Sequence, residues 1–225
     1  MTKILALIPA YNEAAHIVKV VSGARAHLPV LVVDDGSADD TATRAEEAGA
    51  TVLCQTPNQG KGVALRAGFS WALEAGYEAI ITLDADGQHD PVEIPKFLDA
   101  YAKRGADLII GARDFSQMPP VRRLSNTVGR WAFSWAIGQS IRDNQSGYRL
   151  ISRRLLEAIL ASDEAGFEFE VEMIVICVQR DFVLDWVPIR TIYAGETSHI
   201  DPWHHTVNFL RMVWQTRRST KQAVG

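Results

Sequence analysis

Five short apolar runs alternate with stretches of helical pattern, and that alternation limits the chain to few architectures. The runs cover residues 4–8, 30–33, 51–54, 79–83 and 107–111, and each is rich in Val, Ile or Leu. They are continuous rather than alternating, as strands buried on both faces are. Helical patterns fill 13–26, 39–48, 61–75 and 91–103. This order predicts an α/β fold with a mainly parallel central sheet and helices on both faces. Ser37 or Asp39 can cap the second helix, and Asp90-Pro91 opens the fourth with proline at its first position. At 225 residues and 47% apolar content, one such unit can bury a core without staples.

The second half changes character. Residues 115–125 hold two prolines and several polar side chains and read as a mobile loop. A helical pattern follows over 126–138, a strand over 147–151, a helix over 168–179 and an extended segment over 183–192. Trp131 and Trp135, at i and i+4, read as core rather than as a lipid-facing stripe. Glu168, Glu170 and Glu172 read as a solvated helix start, where acids favour the helix dipole. Arg122 and Arg123 fit a solvated pair or an anionic head group equally well. Residues 203–218 look like an amphipathic helix with Trp203, Trp214, Arg211, Arg217 and Arg218. Contact with an anionic membrane and packing on protein both explain it.

Composition excludes several classes. The net charge of −4 argues against a nucleic-acid binder. All 27 acidic residues lie at or before Asp201, while Arg211, Arg217, Arg218 and Lys221 follow it, so 1–202 is acidic and 203–225 basic. Only Cys54 and Cys177 are present, which excludes a disulfide scaffold; both sit in apolar segments and read as buried thiols. His204-His205 has no convincing partner set for a metal and reads as a surface pair. No apolar run approaches the ~20 residues of a membrane span, and the start is too short in apolar residues for a signal peptide. A cytoplasmic protein is expected.

In open α/β sheets ligands bind at the carboxyl ends of the strands, and the chemistry-bearing residues cluster there. The first four strands run into Pro9-Ala10-Tyr11-Asn12-Glu13, Asp34-Asp35-Gly36-Ser37, Asn58-Gln59-Gly60-Lys61-Gly62 and Asp84-Ala85-Asp86-Gly87-Gln88-His89. In an extended segment Asp84 and Asp86 face the same side. Two such carboxylates repel unless a cation sits between them, and hard oxygen ligands suit Mg²⁺ or Mn²⁺ shared with substrate phosphates. Gln88 can add an oxygen. An EF-hand is excluded, because counting from Asp84 the sixth position is His89 and the twelfth is Pro95. The glycines around Lys61 can expose N–H groups to phosphate, but Gly62 stands where Walker A needs Ser or Thr. Asp34 and Asp35 suit a ribose hydroxyl or a base edge.

These motifs together resemble glycosyltransferase family 2. Gly111-Ala112-Arg113, Asp143-Asn144-Gln145-Ser146-Gly147-Tyr148-Arg149, Phe167-Glu168-Phe169-Glu170 and Val187-Pro188-Ile189 resemble its dolichyl-phosphate mannosyltransferase and polyprenyl-phosphate glycosyltransferase branch. The similarity runs in order over about residues 3–202. It implies a GT-A fold in a catalytic domain over 1–202, followed by the basic tail 203–225. It also implies a nucleotide-diphosphate sugar donor, of UDP-glucose or GDP-mannose type, and inverting transfer to a polyprenyl phosphate. By position, Pro9, Tyr11, Glu13, Asp34, Asp35, Lys61 and Asp84 would line the nucleotide-sugar site. Asp84, Asp86 and Gln88 would hold Mg²⁺ or Mn²⁺. Arg113 and Arg130 would face phosphates of the donor or the lipid acceptor, and Asp143 would lie near the reacting centre, with Arg149 a further catalytic candidate in the same motif.

The branch often carries C-terminal transmembrane helices that this sequence lacks. Peripheral attachment to the cytoplasmic membrane face then becomes an expectation, and a hydroxyl acceptor or a non-catalytic nucleotide-sugar-binding protein stays open as an alternative. Sugar-nucleotide pyrophosphorylases would need a Gly-x-Gly-Thr-Arg stretch after the first strand, and a haloacid-dehalogenase-type phosphatase would need its Asp-x-Asp there. Neither pattern is present.

Overall fold

The computed structural model describes residues 2–113, 120–162 and 169–190, with the backbone alone described over 120–126. The expected helix over 203–218, its histidine pair, Glu168 and the side chains of Arg122 and Arg123 lie outside the described residues. Seven strands form one sheet: β1 Ile4–Ala10, β2 Val30–Asp34, β3 Thr51–Cys54, β4 Ala79–Thr82, β5 Leu108–Arg113, β6 Arg149–Ser152 and β7 Leu184–Ile189. Their spatial order is β3-β2-β1-β4-β6-β5-β7. All neighbours pair in parallel except β6, which runs antiparallel to both β4 and β5. The helices are α1 Ile17–Arg25, α2 Thr41–Glu47, α3 Lys61–Glu74, α4 Ile94–Arg104, α5 Pro120–Ile137, α6 Arg153–Leu160 and α7 Phe169–Gln179.

The two faces of the sheet bury alternate residues, as the strand period requires. Leu5, Leu7, Leu31, Val33 and Ile80 pack with apolar residues of α3, α5, α6 and α7. Ala6, Ile8, Val30, Val32, Ala79 and Ile81 pack on the other face with α1, α2 and α4. The expected α/β sandwich is therefore present, with an antiparallel strand that a run of apolar residues alone does not reveal.

Several boundaries differ from expectation. Helix α5 begins at Pro120, so the loop read over 115–125 gives way to helix from there on. Proline is tolerated at a helix start, where its missing N–H had no partner in any case. Phe133, Ala136 and Ile137 form the buried stripe of α5, while Trp131 is 72% and Trp135 54% exposed. Both stripes are apolar at helical spacing, so sequence periodicity could not say which one faces the core. Cys177 is buried, but Cys54 is exposed at the end of edge strand β3. Asp90 caps the turn before α4 by accepting from the Val92 N–H, as expected. Before α2, Asp39 accepts from the Thr41 N–H, whereas Ser37 turns to Asp34.

Gly36 sits in the left-handed region at φ 76°, and a Cβ there would lie 2.9 Å from the Asn58 backbone nitrogen. Both conformation and space exclude a side chain. Gly36→Ala is expected to destabilise the fold by about 1–3 kcal/mol in urea titrations. A loss below about 0.5 kcal/mol would contradict this.

Candidate active site at the strand ends

The topology gathers the predicted residues on one rim. Parallel β1, β2, β3 and β4 end together there. Because β6 is antiparallel to both β4 and β5, β5 also ends on this rim and β6 begins on it. Arg113 closes β5, and residues 143–148 lead into β6. The chain steps outward from β1 to β2 and β3, then returns to place β4 on the other side of β1. That reversal opens the crevice where doubly wound sheets bind ligands.

On the β1–β2 side, exit loops are laced to one another. Asp34 accepts from the Ser37 N–H at 3.2 Å and from its hydroxyl, and Ser37 Oγ accepts from the Asn12 N–H at 2.9 Å. Asn12 has φ 54° and accepts from the Ala38 N–H at 2.8 Å. Asp35 accepts from the Gln59 and Gly60 N–H groups at 2.9 and 2.7 Å, which fixes the turn into α3. Asp34 and Asp35 are buried, yet a carboxylate has about four acceptor sites, so each retains capacity for a ligand. Pro9 is buried in β1, Tyr11 stands half exposed on the rim, and Glu13 contacts His16 Nδ1 at 3.1 Å.

At the β4 exit the geometry departs from the expected extended segment. β4 ends at Thr82, and Asp84, Ala85 and Asp86 enter a turn with Ala85 buried. Asp86 accepts from the Gln88 N–H at 2.9 Å. Lys61, at the start of α3, reaches across to Asp84 Oδ1 at 2.7 Å and Glu170 Oε1 at 2.8 Å. Burial pushes the Asp84 carboxyl up, but the charges of Lys61, His89 and Arg113 hold it down at about 2. Burial pulls the Lys61 ammonium down, and the two carboxylates more than reverse this, so it stays charged. Glu170 is pushed up by burial and brought below its usual range by Lys61 and Arg149.

His89 lies 3.5 Å from Asp84 Oδ2, a distance that suggests an ion pair. It is not one at neutral pH. Burial lowers the imidazole pKa despite the Asp84 and Asp86 charges, and Nδ1 accepts from the Asp84 N–H at 3.0 Å. A protonated Nδ1 could not accept that bond.

Asp84 should leave a signature in acid. Its pKa falls from 3.8 unfolded to about 2 folded. The stability this supplies is complete above about pH 4 and disappears as pH falls through 2. In urea titrations the gap between wild type and Asp84→Asn is expected to narrow by roughly 2 kcal/mol from about pH 5 to about pH 2. A gap that stays constant would contradict the assignment.

The second half of the rim is built on Asp143. This carboxylate is buried and receives Arg113 in a fork, Nε to Oδ2 at 2.7 Å and Nη2 to Oδ1 at 3.0 Å. The Gln145 N–H also reaches Oδ1 at 3.1 Å. Arg149 is fully buried and spends its donors on the carbonyls of Ser146, Asn144 and Glu170. Burial pulls its guanidinium down to about 10, still charged at neutral pH. Arg149 is thus placed to hold the loop and α7 rather than to meet a phosphate. Arg130 lies on α5, lining a groove of about 830 Å³ with Trp131, Ser134, Ile141 and Arg142.

Sequence reasoning missed two parts of the site. Glu170 and Glu172 are not a solvated helix start: α7 packs beside α3, and Glu172 pairs with Arg66 at 2.6 Å. The signal was present, because α7 is apolar on all sides after its acids. A helix of that kind is buried, and charges at its start then need partners. His89 was the other, read only as part of a motif.

Among the described residues no three Asp, Glu, His or Cys side chains converge as a closed metal cage. Asp84 is already paired with Lys61, and Asp86 stands two residues away. One or two carboxylates suffice for an ion that completes its shell with substrate phosphates and water. The donor set fits such a shared Mg²⁺ or Mn²⁺ and does not fit a dedicated site.

The model of glycosyl transferase family 2 matches residues 6–160. The chain is a family 2 glycosyltransferase. This glycosyltransferase is 38% identical to glycosyltransferase AglJ of Haloferax volcanii, over 87% of this chain and 66% of that protein. It is 36% identical to polyprenol monophosphomannose synthase of Mycolicibacterium smegmatis, over 82% of this chain and 76% of that protein. It thus spans about two thirds to three quarters of these relatives' lengths. Glucosyl-3-phosphoglycerate synthase from Mycobacterium tuberculosis, solved with Mn²⁺ and UDP-glucose, superimposes with a TM-score of 0.73. That match covers 97% of this chain and 79% of the other at 20% identity, and it establishes the fold as GT-A. Among the described residues no helix is long and apolar enough to cross a membrane.

Proposed function

We propose that this glycosyltransferase moves a hexose, with inversion, from a nucleotide-diphosphate sugar to a polyprenyl phosphate. The observation that carries the proposal is the sharing of one rim by acidic and cationic groups: Asp84 with Asp86 at the β4 exit, and Arg113 forked onto buried Asp143 at the β5 exit. The name of the mycobacterial relative, a polyprenol monophosphomannose synthase, supports the lipid phosphate as acceptor.

In the proposed reaction an acceptor phosphate oxygen bonds to the anomeric carbon. The bond from that carbon to the donor diphosphate breaks, and the nucleoside diphosphate leaves with the electron pair. Pro9, Tyr11, Glu13, Asp34 and Asp35 would hold the nucleoside. Asp84, Asp86 and Gln88 would hold Mg²⁺ or Mn²⁺, which supplies charge neutralisation to the departing diphosphate. Arg113 would add fixed positive charge where the phosphates lie. A phosphate monoester is already largely anionic at neutral pH, so the acceptor needs no strong base. Asp143 fits that demand: both its oxygens are engaged, and its task would be to orient Arg113. Arg149 would act at one remove, through the carbonyls it binds.

On the acceptor side, the groove with Arg130, Arg142 and Trp131 would take the lipid phosphate and the first prenyl units. Val128, Trp131 and Trp135 stand exposed on one stripe of α5, a pattern suited to peripheral contact with a bilayer. Residues 1–202 would form the catalytic domain, and the basic stretch after them would add to that contact.

The test is transfer of radiolabel from UDP-glucose and from GDP-mannose, in parallel, to a short polyprenyl phosphate, with Mg²⁺ or Mn²⁺ and with EDTA. Cation-dependent label in the lipid phase is expected from one donor. Label absent with both, while the nucleotides still bind, would overturn this donor and acceptor assignment.

A further inference from the structure

Lys61 is a long side chain, close to half exposed, and a single ion pair to such a group holds its geometry poorly. Here the ammonium is shared. Asp84 on the β4 exit takes one side of it and Glu170 on the first turn of α7 takes the other. Glu170 is itself anchored. Its carbonyl accepts from Arg149, the Phe169 ring beside it contacts Phe69 with centroids 5.7 Å apart, and Glu172 pairs with Arg66 of α3. A Cβ on Gly147 would lie 2.9 Å from Asp84 Oδ2, and the Gly147 carbonyl accepts from the Thr82 hydroxyl at 2.7 Å. Gly147 lies against both members of the pair, since a Cβ there would also come within 3.2 Å of Lys61 Nζ. The Asp84–Lys61 pair therefore packs against Gly147, and the ammonium's other tether is Glu170.

We propose that Glu170 is a positioning residue of the donor site, which through Lys61 fixes the Asp84 carboxylate where the donor diphosphate is bound. The inference rests on the proposed nucleotide-sugar reading of this rim. It assigns α7, which bears no residue of the expected donor set, a direct link to donor affinity. Without Glu170, Lys61 keeps Asp84 as its one ion-pair partner among the described residues, and the Lys61–Asp84 pair can swing together.

The experiment compares wild type, Glu170→Gln, Lys61→Met and the double variant. Binding of UDP and GDP is followed by calorimetry with Mn²⁺ present, together with the acceptor KM in the transfer assay and the thermal midpoint. Glu170→Gln is expected to weaken binding of the preferred nucleoside diphosphate roughly tenfold, as loss of an outer partner of a metal-site carboxylate does. The acceptor KM should stay within about twofold, and the double variant should bind no worse than Lys61→Met alone. Glu170→Asp keeps the charge but withdraws it by one methylene, so its affinity should fall between the two and serve if the glutamine variant does not fold. Affinity unchanged within about twofold would overturn the proposal. So would losses that multiply in the double variant, or a donor loss matched by the acceptor KM. A wild-type chain that binds nucleotide normally but transfers no sugar would refute the functional reading and leave the Glu170 effect on binding to be judged by itself.

Discussion

Asp143→Ala is expected to lower glycosyl transfer by at least about 100-fold and to destabilise the fold by about 3 kcal/mol. Asp143 is 1% exposed, and both of its oxygens hold the Arg113 guanidinium. Removing the carboxylate leaves a largely buried cation without its fork partner, which is far more costly than removing both charges. It also releases the Gln145 N–H and with it the loop into β6. Urea titration and steady-state kinetics on the same preparation measure the two effects. The double variant Asp143→Ala/Arg113→Ala should regain part of the stability, because no unpaired charge remains, and none of the activity. Transfer within tenfold of wild type in Asp143→Ala would show that the pair has no part in the reaction.

Asp86→Ala should behave in the opposite way, with a large effect on function and little on folding. Among the described residues the Asp86 carboxylate accepts one bond, from the Gln88 N–H, so stability should change by no more than about 1 kcal/mol. Transfer should fall by about 10²–10³, the usual loss when a group that stabilises developing charge is removed. Binding of the nucleoside diphosphate should also lose its dependence on Mg²⁺ or Mn²⁺. Asp84 would share the ion with Asp86 but is not expected to hold it alone, because Lys61 already engages its Oδ1. Retention of cation-dependent binding in Asp86→Ala would move the ion away from the β4 exit.

What the sequence revealed and what it hid follow from the range of the interactions involved. The first four strands, their order along the chain and their polar exits are local patterns, and period and punctuation were enough to find them. The direction of β6 was not local, since only its pairing to β4 and β5 decides it. That direction is what brings Asp143 to the same rim as Asp86. The α5 stripes were ambiguous because residues 128, 131 and 135 are as apolar as 133, 136 and 137. Glu170 was misread because acids at a helix start are usually solvated, and its partner Lys61 lies more than one hundred residues away in sequence. Arg149 was legible as part of a motif, but its burial and its three carbonyl acceptors were not.

The most direct measurement supplies the preferred donor with matched acceptors, a polyprenyl phosphate and the same polyprenol without phosphate, in the presence of Mn²⁺. The predicted result is label in the phosphate acceptor alone, abolished by EDTA. Equal or greater label in the free polyprenol would contradict the phosphate-directed reaction and make this rim the site of a hydroxyl-directed transferase.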